Sequence, residues 1–276
     1  MYTYSQLKSD ISRYGYNAVS IGKSVKGRNI YAIKAGEGGN TFFITGGIHA
    51  RENVTCVLVM KQLAGLTGRT DDTFYFLPML NPDGAEICAF GSDDSFLLRV
   101  NGGADFSMWK ANANAVDLNV NFDAKYGKGK YNLTCPAPQN YIGEYAFSEP
   151  ETAALAKFTL QKRPCFTVSY HCAGREIYWQ FSDADQRLKK MAYSIGRRLN
   201  YDVVDGENGS VGGYKDWCIL NGIPAVTIEI GLPPHPLTEV DAAEDIERNS
   251  DLPLFITEKY HEFYERGNKG SKESGA

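Results

Sequence analysis

Short apolar runs alternate with amphipathic stretches along most of the chain, a pattern typical of a sheet covered by helices. The apolar runs are rich in Phe, Val, Ile and Thr and end at turn signals, as strands do. The predicted strands are 19–22, 30–34, 41–45, 73–80, 165–170 and 225–230. The predicted helices are 8–14, 53–66, 149–161, 183–199, 214–220 and 239–265, and the second of them is read as amphipathic. The alternation predicts an α/β fold with a mixed, mostly parallel sheet covered by helices on both faces.

Residues 91–147 interrupt this alternation. The segment is rich in Gly, Asn, Asp and Tyr and has little periodicity. A loop region this long inside a compact chain is usually functional. Because no repeat or linker divides the chain, we predict a single domain over residues 1–267 and a flexible C-terminal tail over 268–276.

The composition excludes several classes of function. The 276 residues are 43% hydrophobic and 22% charged, with a net charge of -4 at pH 7. A mildly acidic chain without a Lys/Arg block gives no support for binding nucleic acid or an anionic membrane. No apolar run approaches the ~20 residues of a membrane span, and the polar N-terminus has no leader pattern. We therefore expect a monomer that is cytoplasmic, or secreted if a signal peptide has been removed.

Metal-binding residues are few. The six cysteines include no C-x-x-C pair, which argues against a zinc ribbon, and their scatter does not indicate a disulfide framework. The chain has only four histidines, so a site built from imidazoles has few candidates.

Three predicted strands end in side chains that can bind a metal or transfer a proton. His49 and Glu52 follow the third strand, His171 follows the fifth, and Glu229 lies near the end of the sixth. In open α/β sheets, active sites gather outside the carboxyl ends of the strands. Two histidines and one carboxylate are a common catalytic zinc set that leaves a fourth position for water. Glu229 is then the candidate base, since an unpartnered carboxylate among apolar residues would be costly.

Each of these residues also has a structural explanation when it is taken alone. His49 could be an ordinary loop histidine, His171 a polar strand end, and Glu229 a member of an ion pair. Their common placement favours the metal site. The remaining histidines, His235 in a Pro-rich loop and His261 on the last helix, are predicted to be surface residues.

Several motifs carry a resemblance to a known family. They are GGIHARE, LNPDG, WKAN followed by VDLNVNFDA, YHCAGREIYW, GGYKDW and TIEIG, in this order over about residues 40–232. The chain resembles the carboxypeptidase A-like zinc carboxypeptidases. Within that family, IGKSVKGRNIYAI and the H-x-x-G-x-x-I-Y-W string are most similar to bacterial γ-D-glutamyl-diamino acid peptidases, which trim cell-wall peptides.

The resemblance implies a zinc-dependent metallopeptidase that hydrolyses an amide near a peptide C-terminus, with a peptide or muropeptide as substrate. One Zn²⁺ per chain would be bound by His49, Glu52 and His171, and Glu229 would act as general base. Two other classes stay open. One is an amidohydrolase of N-acyl amino acids, and the other is a catalytically weak homologue that only binds muropeptides.

Five positions bear on the substrate. By resemblance, Arg51 contacts the substrate near the scissile carbonyl, and Lys110 stands where an arginine usually polarises that carbonyl; Lys110 could instead be a solvated loop lysine. Asn119 is retained from a pair that grips the terminal carboxylate, but Val120 replaces the arginine of that pair. Asn114 also stands where bacterial relatives often carry an arginine. Either the substrate is not an ordinary peptide C-terminus, or another cation supplies the charge.

Lys215 is the candidate for that cation. By resemblance it forms the floor of the pocket for the residue after the cleaved bond, where it could meet the second carboxylate of diaminopimelate; the alternative is a plain surface lysine. The family's mobile tyrosine is missing from its place, where Asn208 stands. Tyr214 or Tyr201 could reach the substrate instead.

Overall fold

An eight-stranded sheet organises the chain in this computed structural model, which describes residues 1–66, 68–206 and 209–265. The strands are β1 (Ala18–Lys23), β2 (Asn29–Ala35), β3 (Thr41–Thr45), β4 (Thr73–Leu77), β5 (Phe166–Cys172), β6 (Glu176–Tyr178), β7 (Asp202–Val204) and β8 (Ala225–Ile230). Their order in the sheet is β1-β2-β4-β3-β5-β8-β6-β7. Four neighbouring pairs are parallel, namely β3-β4, β3-β5, β5-β8 and β6-β7, and three are antiparallel. The predicted mixed, mostly parallel sheet is confirmed.

Nine α-helices lie in the described part of the chain. They are α1 (Tyr4–Arg13), α2 (Val54–Leu66), α3 (Pro82–Phe90), α4 (Ser95–Asn101), α5 (Pro150–Lys162), α6 (Gln186–Leu199), α7 (Tyr214–Leu220), α8 (Ala243–Asn249) and α9 (Leu252–Tyr260). A 3₁₀ turn over Leu118–Val120 and a π-helical turn over His261–Glu265 complete the list. None of these helices combines the length and apolar character that a membrane span requires.

Helices cover both faces of the sheet, as predicted. Along β3, Phe42 and Ile44 face a large core that includes side chains of α2, α6, α8 and α9. Phe43 faces the opposite core, where its ring stacks on Phe158 of α5 at a centroid distance of 5.2 Å. Successive residues of a strand point to opposite faces, so a run that is buried throughout requires helices on both sides.

The second helix was predicted to be amphipathic, and its exposed face is narrower than that prediction implies. Nine residues of α2 are buried. The helix lies on the sheet and also packs against α8 and α9, which leaves one narrow stripe with Lys61, Ala64 and Gly65 exposed. In the large core, Leu63 packs with Leu252 and Ile256.

Other differences concern short elements. LNPDG was read as a turn, but Asn81 caps α3 by accepting a hydrogen bond from Gly84 N at 2.9 Å, with Pro82 in the first helical turn. The segment read as a loop contains α4, and β6 and β7 were too short to be predicted. The last predicted helix is divided into α8, α9 and the π-helical turn. The predicted tail, 268–276, lies outside the described residues.

Candidate active site

The turn after β3 sets the position of the first two predicted ligands. Gly47 has a φ of 61°, and an added Cβ would lie 2.6 Å from Cys56 Sγ. This backbone conformation and this close approach both require glycine. The turn leads directly into His49 and Glu52, which are each 3% exposed at the carboxyl end of the strand.

Three side chains from two strand ends converge on one point. His49 Nδ1 lies 2.9 Å from Glu52 Oε1, and His171 Nδ1 lies 3.1 Å from Glu52 Oε2. The two Nδ1 atoms are 3.1 Å apart. One ligand atom from each residue lies within 4.8 Å of the others. Burial opposes ionisation of Glu52, but the two imidazoles hold its pKa well below the usual range. This set of two nitrogens and one oxygen fits zinc.

Asp117 contacts this cluster at the outer nitrogen of His49, and no motif in the sequence had indicated this role. Its Oδ1 lies 3.1 Å from His49 Nε2, and its Oδ2 lies 3.6 Å from Lys110 Nζ. Although burial opposes ionisation, Lys110 and His49 lower the pKa of Asp117 far below its usual range. A carboxylate on the outer nitrogen orients a ligating imidazole and raises its basicity. The available signal was an acid in the otherwise apolar string AVDL.

Glu229 stands beside the cluster because of the sheet register. His171 on β5 pairs with Glu229 on the parallel strand β8. Burial raises the pKa of Glu229 to about 7, and the nearby Glu52 adds to this rise. A carboxyl that titrates near neutral pH suits a general base.

One cavity of about 320 Å³ brings most of the predicted site together. Eight of the nine predicted residues line it: His49, Arg51, Glu52, Lys110, Asn119, His171, Lys215 and Glu229. A larger cavity, between α6 and α9, is lined by none of them. The predicted site therefore lies in the smaller, more polar cavity.

Two of the cations in this cavity, Lys110 and Lys215, are paired with carboxylates, and Arg51 is hydrogen-bonded only in part. Arg51 Nη1 donates to Met108 O at 3.3 Å, whereas its Nε is buried without a partner among the described residues. Lys215 Nζ lies 2.6 Å from Asp216 Oδ1 and donates to Gln180 O at 3.0 Å.

The two residues compared with the family's carboxylate-gripping pair lie side by side in the 3₁₀ turn. Asn119 Oδ1 accepts a hydrogen bond from Tyr214 N at 3.2 Å. Val120 is 5% exposed and does not line the cavity, so its position supplies neither charge nor contact there.

Tyr214 was predicted to reach the substrate, and the structure contradicts this. Its ring is fully buried and its hydroxyl lies 2.8 Å from Thr159 Oγ1. It packs with Phe122 at a centroid distance of 5.5 Å, on the face of α7 turned to the core. Tyr201 is also buried, and its hydroxyl donates to Asp245. Neither tyrosine lines the cavity. Asn208 lies outside the described residues.

The prediction for His235 was also wrong. This residue lines the cavity, is half-buried, and its Nδ1 is a buried atom. His261 is partly exposed and lies between Asp72 and Glu265, at 3.2 Å and 2.6 Å, away from the residues that line the cavity.

Comparisons with known proteins agree with this geometry. Residues 6–234 match the family described as zinc carboxypeptidase. The chain is 30% identical over 272 residues to gamma-D-glutamyl-L-diamino acid endopeptidase 1 of Lysinibacillus sphaericus, covering 87% of this chain and 68% of that protein.

Solved structures share the fold. Bovine thrombin-activatable fibrinolysis inhibitor, in complex with a tick carboxypeptidase inhibitor, superposes with a TM-score of 0.73 at 23% identity, covering 92% of this chain and 95% of that one. Murein-tripeptide amidase MpaA of Escherichia coli O157 gives a TM-score of 0.60 at 23% identity, covering 86% and 91%. From the family match and the relative at 30% identity, the chain belongs to the zinc carboxypeptidase family of peptide hydrolases.

Proposed function

We propose that this enzyme is a zinc-dependent peptidase that cleaves the amide bond between γ-D-glutamate and a diamino acid, such as diaminopimelate, in cell-wall peptides. The observation that carries the proposal is the convergence of His49, Glu52 and His171 beside Glu229 in one cavity. The relative from L. sphaericus is named for this kind of bond, and that name supports the choice of substrate. We further propose one zinc ion per chain, in a monomeric domain over residues 1–267.

His49, Glu52 and His171 would hold the metal. Their ligand atoms face each other across 2.9 to 3.1 Å, so one ion could contact all three side chains. Zinc supplies a Lewis acid that lowers the pKa of water and polarises a carbonyl. Asp117 would hold the imidazole of His49 in the ligating orientation.

Glu229 would move the proton. As a carboxylate it takes one proton from the attacking water while the water oxygen forms a bond to the γ-carbonyl carbon. The protonated Glu229 then gives that proton to the amine nitrogen as the C–N bond breaks. With a pKa near 7, Glu229 can both accept a proton and release it at neutral pH, as these two steps require.

Lys110 and Arg51 would stabilise the negative charge that develops on the carbonyl oxygen. Both line the cavity. Burial alone would lower the pKa of Lys110, but Asp117, Glu52 and Glu229 raise it above its usual value, so its ammonium stays charged. An ammonium lacks the two-pronged fork of arginine and acts here as a point charge.

Lys215 would bind the diamino acid. Its ammonium has three N–H donors, and Asp216 and Gln180 O account for two of them. One donor is left for the second carboxylate of diaminopimelate. Because Val120 is buried and uncharged, this contact would take over part of the anchoring that the family obtains from an arginine there.

Mass spectrometry of a defined peptide panel tests the proposal. The zinc-loaded enzyme is incubated with L-Ala-γ-D-Glu-diaminopimelate, with its α-linked isomer and with ordinary peptides. We expect release of the diamino acid from the γ-linked peptide, loss of activity with a chelator and recovery with zinc. Removal of C-terminal residues from ordinary peptides alone would show that the proposed substrate is wrong.

A further inference from the structure

The loop after β8 carries a histidine whose inner nitrogen has no partner. His235 Nδ1 is buried and forms no hydrogen bond with any described residue. The ring lines the same cavity as the proposed metal ligands and Glu229. Leaving a buried polar nitrogen unpaired costs free energy, and natural structures retain few such groups. This nitrogen is therefore a candidate for contact with the substrate.

The loop holds the ring in place. At its start, Gly174 N donates to Gly231 O at 2.9 Å. At its end, Leu237 is buried in the large core. Between them, prolines at 233, 234 and 236 fix their own φ angles, and the last one also restricts the backbone of His235. The imidazole is thus presented to the cavity by a constrained loop.

His235 does not belong to the metal cluster. The group of described residues whose ligand atoms lie within 4.8 Å of one another contains only His49, Glu52 and His171. None of the described residues supplies a partner for His235 Nδ1, so this nitrogen can bind a molecule in the cavity.

The charges around His235 favour an anion as that partner. Burial and the neighbouring Arg51 lower the pKa of His235. Glu52 acts in the opposite direction, but Lys110 and His49 add to the lowering, so positive groups outnumber negative ones around the ring. The ring is therefore neutral at neutral pH and has one N–H to donate. Arg51, which lines the same cavity, carries a second buried donor, its Nε, that has no partner among the described residues.

We propose that His235 is a specificity-determining residue whose Nδ1–H donates a hydrogen bond to the free α-carboxylate of a γ-linked glutamate. This inference rests on the proposed function. In a γ-glutamyl amide the attacked carbon is the side-chain carbonyl, so the α-carboxylate stays free on the acyl side of the scissile bond. In an α-linked peptide that carboxyl is itself consumed in the amide. A donor at this point would therefore distinguish γ-linked from α-linked glutamate.

Two peptides that differ in one group test this directly. Both contain the γ-D-Glu–diaminopimelate bond, but one has a free α-carboxylate and the other an α-carboxamide. We expect the wild type to prefer the carboxylate by about tenfold or more in kcat/KM. His235→Leu should lose most of this preference, mainly through the carboxylate peptide, and His235→Gln, which keeps a donor, should recover part of it.

The control and a binding measurement make the result decisive. His261→Leu makes the same chemical change at a histidine outside the cavity and should leave the preference intact. Equilibrium binding of both uncleaved peptides to Glu229→Gln, with and without His235→Leu, should show the same loss of preference. The zinc content of each variant is measured, so that loss of metal is recognised.

Failure of the inference and failure of the proposed function look different. If the wild type cleaves γ-linked peptides and His235→Leu keeps the full carboxylate preference, the role of His235 is wrong and the proposed function stands. If the wild type cleaves no γ-linked peptide, the proposed function is wrong and the role of His235 is wrong with it.

Discussion

The cavity has a strand-end wall, formed by His49, Glu52 and His171, and a second wall, called the loop wall, that includes His235 of the loop after β8 and Lys215 at the start of α7. In the strand-end wall each side chain faces another at 2.9 to 3.1 Å. In the loop wall Lys215 has partners of its own, but His235 Nδ1 has none among the described residues. The strand-end side chains contact one another, although His171 Nε2 is also buried without a partner among the described residues. The loop wall keeps a donor, His235 Nδ1, that a molecule in the cavity can use.

This difference separates two tasks. The strand-end wall depends on backbone pairing, because the register of β5 and β8 places His171 beside Glu229. The loop wall depends on the loop after β8 and on the short helix α7. Neither belongs to the sheet, so both can change without disturbing it. We therefore expect substitutions in the strand-end wall to affect every substrate, and those in the loop wall to change the preference among substrates.

The largest effect is expected for Glu229→Gln. The amide keeps the size of the side chain but cannot take the proton, so kcat should fall by about 10²–10⁴-fold for all peptides. Steady-state kinetics and zinc analysis on the same sample check this. A variant that binds zinc normally and keeps wild-type kcat would remove Glu229 from the mechanism.

The next prediction concerns Glu151, a buried acid near the strand-end wall, and its effect on stability. Glu151 Oε2 accepts a hydrogen bond from Asn112 Nδ2 at 3.2 Å, in the segment that leads to Asp117. Burial raises the pKa of Glu151 to about 7 from an ordinary value of 4.5. The folded state therefore keeps this proton while the unfolded state loses it. Stability should fall as the pH rises from about 4.5 to 7, by about 3 kcal/mol in total.

Glu151→Gln should remove this part of the pH dependence. Urea unfolding at pH 5 and pH 8 measures it, with Glu149 left unchanged as the neighbouring acid. The free energy of unfolding of the variant should decrease less between the two pH values than that of the wild type. Equal decreases in both proteins would show that Glu151 does not hold the proton.

Asp117→Asn should weaken zinc binding by about 10–100-fold, since the amide orients His49 less well. Competition with a chromophoric chelator measures the dissociation constant. Asp117 also caps the 3₁₀ turn by accepting a hydrogen bond from Asn119 N, so a thermal melt accompanies the titration. Unchanged zinc affinity in a folded variant would contradict the supporting role.

The smallest effect is expected in the loop wall. Lys215→Met should lower kcat/KM by about tenfold for a peptide ending in diaminopimelate, through loss of one charge-assisted hydrogen bond. A peptide with lysine in the same position lacks the second carboxylate on its side chain and serves as the matched substrate. An equal loss for both peptides would show that Lys215 does not bind that carboxylate.

The same division explains what the sequence could predict. The ends of β3, β5 and β8 follow from apolar runs of strand length, and this was enough to place His49, His171 and Glu229 at one edge of the sheet. The prediction that Tyr214 reaches the substrate failed, because packing decides which side of α7 faces the core and no local pattern shows that packing. The prediction that His235 is a surface residue failed for a similar reason. The direction of its loop depends on the tertiary contacts of Gly231 and Leu237 at the two ends.

The packing of α2 against α8 and α9 has a consequence for how the chain completes its fold. The family match ends at residue 234, and the last strand ends at Ile230. Yet α2 packs against α8 and α9, and Gln62 Nε2 donates to Asn249 O at 2.7 Å. A chain that stopped at the family boundary would leave an apolar helix open to solvent and prone to aggregation. The folding unit therefore extends through residue 260, and a nascent chain can complete it only after α9 has been synthesised.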